Sequence, residues 1–309
     1  MNSEFEEKLK AFLEYYWLRP ENGLVSAIMS DSLSKIKFES PSLDIGCGDG
    51  VFSFYHQGGK LESNSDAFSS TNASKFTHES KIDIFDADNE KEIIKIKNPS
   101  KIKIDYGTDW KQKLLNKAAK LELYKKLVLH DSNKPFPFED RKFRTIFSDT
   151  VYWVKKENIP KLLLEINRML HPEGTAALFF MTKHHFETLE KLEYLLDKKA
   201  VDILDRGRRE SVNSDWGYQE WETEVKKAGF KIVEVVNTYP NNAIVDIWNV
   251  GLRPIAHLLI QMTDKISMDE RIRIKKEWTD IFLELFKNIN KIQNISIETQ
   301  GYPLFILKK

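Results

Sequence analysis

The spacing of hydrophobic residues changes along the chain between the helical and the strand period. In residues 4–17 apolar side chains recur at helical spacing, which predicts an amphipathic helix, and a second short helix is expected to run through Met29 to Leu33. From residue 41 onward, short apolar runs bounded by turn residues alternate with helical segments. These runs predict seven strands, at residues 41–45, 102–104, 126–129, 144–147, 175–181, 230–236 and 302–307.

The segments between these strands predict helices that begin near residue 51 and cover 114–121, 160–170, 216–228 and, in two or more pieces, 244–295. Strands that alternate with helices indicate an α/β fold with a doubly wound, mostly parallel, seven-stranded sheet. We expect four parts in the chain. They are a helical cap at 1–40, a core at 41–240 with an insertion at 56–100 that holds a short strand near 81–85, a helical addition at 241–300, and a final strand at 301–309.

The first predicted strand runs into a turn with three glycines, L-D-I-G-C-G-D-G over residues 43–50. Glycines at every second position let the backbone bend sharply and approach a ligand, because no Cβ stands in the way. The carboxyl ends of strands are also where open α/β sheets bind ligands. The spacing G-x-G-x-G differs from the dinucleotide pattern G-x-G-x-x-G, and an acid precedes it. The candidate binding residues in this turn are Asp44, Gly46, Cys47, Gly48 and Gly50.

Acidic residues close the next two predicted strands. Asp109 stands before a helix in the sequence G-T-D-W-K-Q-K-L-L-N-K-A, and Asp131 follows the strand at 126–129. A carboxylate at the first place can accept hydrogen bonds from both ribose hydroxyls of an adenosine moiety, each worth about 1.5–3 kcal/mol. A carboxylate at the second place can accept from the adenine amino group. Three neighbouring residues complete the candidate binding set: Trp110, Ser132 and Ser148.

In order and spacing, these elements resemble the class I S-adenosylmethionine-dependent methyltransferases. That family shows D-x-G-x-G-x-G, then G-x-D before a helix, then G-D-x, and then L-P-F-x-D-x-S-F-D, which residues 135–148 resemble. The sequence at 168–174, R-M-L-H-P-E-G, is similar to the family's R-x-L-K-P-G-G turn. The resemblance covers roughly residues 41–182. It implies a Rossmann-like methyltransferase fold, S-adenosylmethionine as cofactor, and methyl transfer to a small molecule, with a hydroxyl of a sugar or secondary metabolite as the expected acceptor.

The chain departs from the family pattern between Gly50 and Asp109. The gap is much longer than the family usually has, which is why residues 56–100 are interpreted as an insertion. Asp83 in that insertion is the alternative ribose-binding acid, but only Asp109 is followed by the pattern L-L-x-x-A. Arg144 stands where the family often has an acid, so no role of that acid is carried over. Two alternatives to the activity stay open: a binding protein that transfers nothing, and an aminopropyltransferase.

Residues with catalytic chemistry follow the fourth and fifth predicted strands, in the segments 148–153 and 183–185. A general base is needed only if the acceptor loses a proton, as a hydroxyl does. His184 or His185 could supply it, although one could equally be a surface histidine and the other a packed one. Tyr152 and Trp153 could line the pocket or belong to the core.

Three further segments each have two interpretations. The aromatic residues at 15–17, with Arg19, could form a lid over the cofactor or pack in the core. The basic run at 206–209 could clamp a phosphate or carboxylate of the substrate or be solvated. The helical segment at 244–295, which contains Trp248, could roof a pocket or form the interface of a homodimer.

Composition and charge limit which kinds of partner and site the sequence predicts. Lys+Arg and Asp+Glu both number 47, so the formal net charge is +0 and we expect no nucleic-acid partner. Cys47 is the single cysteine, which excludes an intrachain disulfide and a cysteine-rich metal site, and no metal is expected. The apolar runs are too short to predict a membrane span. The N-terminal residues lack the pattern of a secretory signal, so the expected location is the cytoplasm.

Overall fold

The computed structural model of the protein describes residues 3–69, 71, 94–212 and 215–309. It contains a seven-stranded sheet and a separate two-stranded one. The strands are β1 (Ser42–Ile45), β2 (Lys60–Leu61), β3 (Ile96–Asn98), β4 (Ile104–Asp109), β5 (Tyr124–Leu129), β6 (Phe143–Ser148), β7 (Leu170–Phe179), β8 (Lys231–Val236) and β9 (Leu304–Lys308).

The large sheet has the strand order β5-β4-β1-β6-β7-β9-β8. The contacts from β5 through β7 are parallel, whereas β9 is antiparallel to both of its neighbours. This arrangement confirms the predicted α/β fold with a mostly parallel seven-stranded sheet. The strand order reverses at β1, since the chain continues to β4 on one side and returns to β6 on the other. Ligands bind at such a reversal in open α/β sheets, beyond the carboxyl ends of the strands.

Helices flank this sheet, and additional helices lie before β1 and between β8 and β9. In chain order they are α1 (Ser3–Tyr15), α2 (Pro20–Leu33), α3 (Val51–His56), α4 (Gln112–Lys120), α5 (Ile159–Met169), α6 (Glu187–Leu192), α7 (Lys198–Asp205), α8 (Arg208–Ser211), α9 (Tyr218–Lys227), α10 (Asn242–Val250), α11 (Ala256–Thr263) and α12 (Met268–Phe286). The amphipathic pattern of α5 explains its place, because its apolar side chains are buried while the opposite face is polar.

Several element boundaries differ from the sequence prediction; β4, for example, covers Ile104–Asp109 rather than 102–104. Helix α2 begins at Pro20, although the proline and glycine of the segment R-P-E-N-G at 19–23 predict a break there, because proline fits the first turn of a helix without losing a hydrogen bond. Strand β7 begins at Leu170 rather than at residue 175. Its first residue already pairs with Phe143. The next pair is Thr145 with Thr175, so the H-P-E-G sequence at 171–174 lies in a register irregularity between the two pairs.

The insertion leaves and rejoins the core as a short ribbon. Lys60 and Leu61 of β2 pair antiparallel with Asn98 and Ile96 of β3. The strand predicted near 81–85, and with it Asp83, lies outside the described residues. Asp83 therefore stays a prediction as an alternative ribose-binding acid.

A buried ion cluster joins the start of the insertion to the last long helix. Asp66 accepts from Arg271 at 2.9 Å and from Lys275 at 3.2 Å, and all three side chains are buried. The Arg271 guanidinium also lies 5.2 Å from the ring centre of Trp17, which follows α1. The cluster thus fixes α12 against the N-terminal helices.

We expect Asp66→Asn to lower the free energy of unfolding by about 3–5 kcal/mol, because it leaves two buried cations without their counter-charge. Glu173→Gln is the matched control, since Glu173 pairs with Arg144 on the surface and its loss should change stability by less than about 1 kcal/mol. Urea unfolding of both variants measures the difference. Equal changes in the free energy of unfolding for the two variants would show that the buried cluster stabilises the protein no more than a surface ion pair does.

One stretch, Asn242–Thr263, is long and apolar enough to meet the length and hydropathy criteria for a membrane span, with a mean hydropathy of 1.3. By itself this is weak evidence, because core helices of soluble proteins meet the same criteria. Here the stretch is divided into α10 and α11 by Gly251 and by a 3-10 turn at Arg253–Ile255. Apolar side chains of α11 and α12, Leu258, Met262, Ile281 and Leu285, remain exposed, so the homodimer stays a prediction.

Candidate functional site

The glycine turn between β1 and α3 lies at the point where the strand order reverses. Gly46, Gly48 and Gly50 all have positive φ, between 57° and 78°, a region that residues with a side chain rarely adopt. A Cβ at Gly46 would come within 2.1 Å of the Thr150 hydroxyl oxygen, so glycine is required there for close packing. A Cβ at Gly48 would meet no atom within 4 Å. Above Gly48 the turn therefore leaves open space.

Hydrogen bonds to the neighbouring strand fix the shape of this turn. The Cys47 amide donates to the Thr108 carbonyl at 2.8 Å, and the Gly48 amide donates to Asp109 Oδ2 at 3.1 Å. The Gly50 amide donates to the Cys47 carbonyl at 2.9 Å. Because these amides are used inside the protein, what the turn offers at Gly48 is space rather than a free donor.

Asp44, the acid before the glycines, lies under the turn. Its carboxylate accepts from the Ser53 hydroxyl at 2.6 Å and from the Tyr124 hydroxyl at 2.7 Å, and the residue is buried. Burial raises the pKa of Asp44 to about 6 in spite of these two donors. The contacts connect β1 to α3 and β5, so the carboxylate supports the turn. Its predicted contact with the cofactor stays a prediction.

Asp109 ends β4 beside the glycine turn. Its Oδ1 accepts from the Lys111 amide at 2.8 Å while its Oδ2 accepts from Gly48, and burial raises the pKa of the carboxyl. Each carboxylate oxygen can accept a second hydrogen bond. Trp110 follows directly and is 67% exposed, with the Lys111 ammonium 5.2 Å from its ring centre. A flat aromatic surface thus stands next to the acid.

The other predicted binding residues occupy the neighbouring strand ends. Asp131 follows β5, where its Oδ1 accepts from the amide and the side chain of Asn133, and these bonds lower the pKa of Asp131. Ser132 is partly exposed in the same turn. Ser148 is fully buried, and its hydroxyl donates to the Ile45 carbonyl at 3.1 Å. Ser148 thereby connects β6 to β1.

A cavity of about 160 Å³, here called the inner chamber, opens beside the ends of β6 and β7. Its walls include Tyr16, Asp149, Tyr152, His185, Tyr239 and Tyr302. The Tyr302 hydroxyl donates to the Tyr152 hydroxyl at 2.6 Å and approaches the Asp149 carbonyl at 3.1 Å. Burial and then the nearby Asp44 raise the pKa of Asp149 to about 7. This carboxyl therefore exchanges its proton in the neutral range.

Polar atoms in the walls of the inner chamber lack protein partners. Among the described residues, neither ring nitrogen of His185 has a hydrogen-bond partner, and the Tyr239 hydroxyl has none either, although both residues are buried. Burial and then Arg208 lower the pKa of His185 to about 3, so the imidazole is neutral. Buried polar groups left unpaired cost about 1–3 kcal/mol each. Because both groups stand in the cavity wall, they can hydrogen-bond to a molecule that enters it.

The two adjacent histidines separate in the structure. His185 lines the inner chamber, whereas the Nδ1 atom of His184 pairs with Glu187 one helical turn further on. His184 is absent from the walls of the inner chamber. Tyr152 does line it. The geometry therefore favours His185 and Tyr152 for contact with a substrate, and the catalytic role of all three residues stays a prediction.

The N-terminal helices close the site from one side. The Tyr15 hydroxyl donates to Asp49 in the glycine turn at 2.9 Å, and Tyr16 forms part of the inner chamber. Trp17 is packed in the core. Trp17 thus fills the core while Tyr15 contacts the glycine turn, and the lid over the cofactor stays a prediction.

Sequence patterns alone did not single out three of the wall residues. Asp149 fell inside the candidate segment 148–153 but was not selected, and Tyr239 and Tyr302 belong to no motif. Asp149 directly follows a predicted strand, the same signal that selected Asp109 and Asp131, so it could have been found. Within the described residues, no group of three or more His, Cys, Asp or Glu side chains could hold a metal ion.

No protein-family model matches the chain, and no curated protein sequence matches it. Solved structures do resemble it. An S-adenosylmethionine-dependent methyltransferase of Thermotoga maritima, described as a possible histamine N-methyltransferase, aligns over 100% of both chains with 14% identity and a TM-score of 0.51. Phosphoethanolamine N-methyltransferase 2 of Haemonchus contortus, in complex with S-adenosylmethionine, has 16% identity over 96% of this chain and 56% of its own, with a TM-score of 0.48. An S-adenosylmethionine-dependent methyltransferase of Mesorhizobium loti has 13% identity over 90% of this chain and 96% of its own, with a TM-score of 0.45.

At 14% identity, the likeness to the Thermotoga maritima structure is one of fold. It confirms the fold that the motif resemblance predicted, the Rossmann-like fold of the class I S-adenosylmethionine-dependent methyltransferases. The chemistry of the present chain has to be argued from its own site.

Proposed function

We propose that this protein is a methyltransferase that binds S-adenosylmethionine and methylates a small-molecule acceptor. One observation carries the proposal: the open glycine turn and the inner chamber, which Asp149 lines, lie side by side at the reversal of the sheet. The turn offers a place for the cofactor and the chamber a place for the acceptor. We extend the proposal to a hydroxyl of a sugar or secondary metabolite as the acceptor and to the cytoplasm as the location.

The residues around the glycine turn fit an adenosyl cofactor. The free space at Gly48 admits a ligand close to the backbone, and Trp110 exposes a ring on which an adenine base can stack. Each carboxylate oxygen of Asp109 can accept one more hydrogen bond, which supports it as the acceptor for the two ribose hydroxyls, and we propose Asp131 for the adenine amino group. We assign Asp44 and Ser148 to the support of this cradle, because their side chains are used by Ser53, Tyr124 and Ile45.

When bound, the cofactor supplies an electrophilic methyl group on a positively charged sulfur. The protein's part is to hold the acceptor atom in line with that methyl group, and positioning of this kind can supply up to about 7–11 kcal/mol. The tyrosines of the inner chamber surround the acceptor end, and their ring faces favour nearby positive charge. His185, neutral and with both nitrogens in the wall, can donate one hydrogen bond to the acceptor and accept another.

A hydroxyl acceptor must also lose its proton as the oxygen–carbon bond forms. Asp149 can take it, because a base works best when its pKa lies near the operating pH. The pKa of His185, about 3, makes the imidazole a weak base. We therefore assign proton acceptance to Asp149 and orientation of the acceptor to His185.

The pKa of Asp149 also predicts how stability depends on pH. Because the folded-state pKa of about 7 exceeds the ordinary 3.8, the native state binds more protons than the unfolded state between these values, and the free energy of unfolding falls as pH rises through this range. Asp149→Asn removes the carboxylate that is costly to bury. One pKa unit corresponds to about 1.4 kcal/mol, so we expect the variant to gain at least about 1 kcal/mol relative to wild type between pH 4.5 and pH 8.

Urea unfolding at both pH values measures that gain. Asp246→Asn is the control, because Asp246 lies exposed on α10, where its carboxylate accepts a hydrogen bond from the Thr188 hydroxyl. A difference between wild type and Asp149→Asn that does not change with pH would show that Asp149 has an ordinary pKa. It could not then act as a base tuned to neutral pH.

The activity itself is tested with S-adenosylmethionine labelled in the transferred methyl group. The protein is incubated with this cofactor and a cellular small-molecule extract, and labelled products are separated by chromatography. A labelled product that needs the protein supports the proposal. Tight binding of the cofactor with no labelled product in any fraction would favour a binding protein instead, and stabilisation by decarboxylated cofactor alone would favour aminopropyl transfer.

A further inference from the structure

A second cavity, of about 630 Å³ and here called the outer chamber, adjoins the inner chamber. The two share Asn22, Tyr152, Met181, His185 and Trp248 in their walls. A molecule with one end beside Asp149 can therefore extend its other end into the outer chamber.

Basic side chains from four parts of the chain converge on the outer chamber. Among the described residues that line this chamber, Glu210 is the one acid. The cations are Arg19 after α1, Lys111 after β4, Arg206 and Arg208 around α8, and Arg253 after α10. Because these segments are far apart in the sequence, it is the tertiary fold that brings the five cations together around the outer chamber.

Contacts inside the protein hold two of these arginines in place. Arg19 pairs with Glu21 at 3.1 Å. Arg208 is buried and donates to main-chain carbonyls, with Trp248 and Leu204 at 3.3 Å and Asp205 at 3.2 Å. Carbonyls fix the guanidinium but do not neutralise its charge.

The cations are close enough to repel one another. Burial and then Arg19 lower the pKa of Arg208 to about 10, and burial and then Arg19 also lower the pKa of Arg206. Asp205 and Glu21 offset part of this repulsion at Arg208, and an anion bound between the guanidinium groups would offset more of it. Guanidinium groups also bind phosphate and carboxylate in a two-pronged geometry.

We propose that the outer chamber binds a phosphate- or carboxylate-type anionic group of the methyl acceptor, so that the substrate is a small anionic molecule whose nucleophilic end enters the inner chamber. This inference rests on the proposed methyl transfer. It also divides the basic run at 206–209. Arg206 and Arg208 line the outer chamber, whereas Arg209 pairs with Glu193 at 2.8 Å and lines a different cavity.

The test uses full-length protein saturated with S-adenosylhomocysteine, so that a carboxylate site of the cofactor is already filled. Propyl phosphate, butyrate and propan-1-ol are then titrated by calorimetry. We expect saturable binding of one or both anions and at least about tenfold weaker binding of the neutral alcohol. The preferred anion identifies the acceptor's charged group as phosphate or carboxylate.

Variants separate the outer chamber from other basic surfaces. The double variant Arg206→Gln with Arg253→Gln should weaken anion binding by at least about tenfold, because both side chains are only partly buried and line the chamber. Arg209→Gln should leave it unchanged. Failure of both anions to bind, or equal binding by wild type and the double variant, overturns the inference while S-adenosylhomocysteine affinity, measured in the same samples, continues to report on the proposed function.

Discussion

We expect Gly48→Asn to weaken S-adenosylhomocysteine binding by about 10–100-fold while the protein still folds. Asparagine tolerates the positive φ of 57° at this position, so the backbone can keep its shape. The nearest protein atoms lie beyond 4 Å of the new Cβ, so no clash within the protein is expected at that atom. The side chain instead fills the space assigned to the cofactor. Overpacking of this kind costs about 1–3 kcal/mol, and each 1.4 kcal/mol is a factor of ten in affinity.

The matched control for this prediction is Gly229→Asn. Gly229 also has positive φ, 85°, but follows α9 on the other side of the core, where its Cβ would meet only Asn167 at 3.6 Å. Circular dichroism and thermal melting verify folding, and calorimetry measures affinity. If Gly48→Asn binds S-adenosylhomocysteine as tightly as Gly229→Asn does, the cofactor does not lie against the glycine turn.

The second large effect concerns turnover with the acceptor that the labelling screen identifies. We expect Asp149→Asn to lower kcat by about 100–10,000-fold, the usual contribution of a general base, because the amide cannot take a proton. The wild-type pH profile should rise through a pKa near 7, and that limb should vanish in the variant. S-adenosylhomocysteine affinity should stay unchanged, since Asp149 lines the acceptor's chamber.

Asp246→Asn again serves as the control, and its kcat should equal that of wild type. The separation of kcat from cofactor affinity distinguishes a role in proton transfer from a general disturbance of the site. Turnover by Asp149→Asn within tenfold of wild type, with the same pH profile, would exclude this carboxylate as the base and point to an acceptor that carries no proton to lose.

Much of the fold was predictable because its signals are local. The parallel strands β1, β4 and β6 are short, largely buried runs bounded by turn residues, and Asp109 stands in a pattern that marks the end of a strand and the start of a helix. Where local signals conflict, the prediction was wrong. Pro20 can break a helix or begin one, and in the structure it begins α2, since packing of α1 on α2 decides between the two.

The inner chamber could not be read from the sequence in the same way. Tyr302 precedes β9, and Tyr239 follows β8, so they are distant from each other and from Asp149 along the chain. They meet because β9 runs antiparallel between β7 and β8. Its amino end therefore lies at the sheet edge where the parallel strands have their carboxyl ends. That pairing is set by the tertiary fold and cannot be predicted from the local spacing of residues.

The cations of the outer chamber also could not be assigned from the local sequence alone. The basic run at 206–209 was visible in the sequence, but its division between two cavities was not. Arg208 and Arg209 are adjacent, yet one is buried among carbonyls and the other pairs with Glu193, because successive residues of α8 point in different directions.

The most direct measurement is a calorimetric titration of the wild-type protein with S-adenosylhomocysteine. We predict saturable binding at one site with a Kd in the micromolar range or tighter, corresponding to about −8 kcal/mol or more. No heat of binding and no rise in melting temperature at millimolar ligand would contradict the assignment of the glycine turn to an adenosyl cofactor, and the proposed methyl transfer would fail with it.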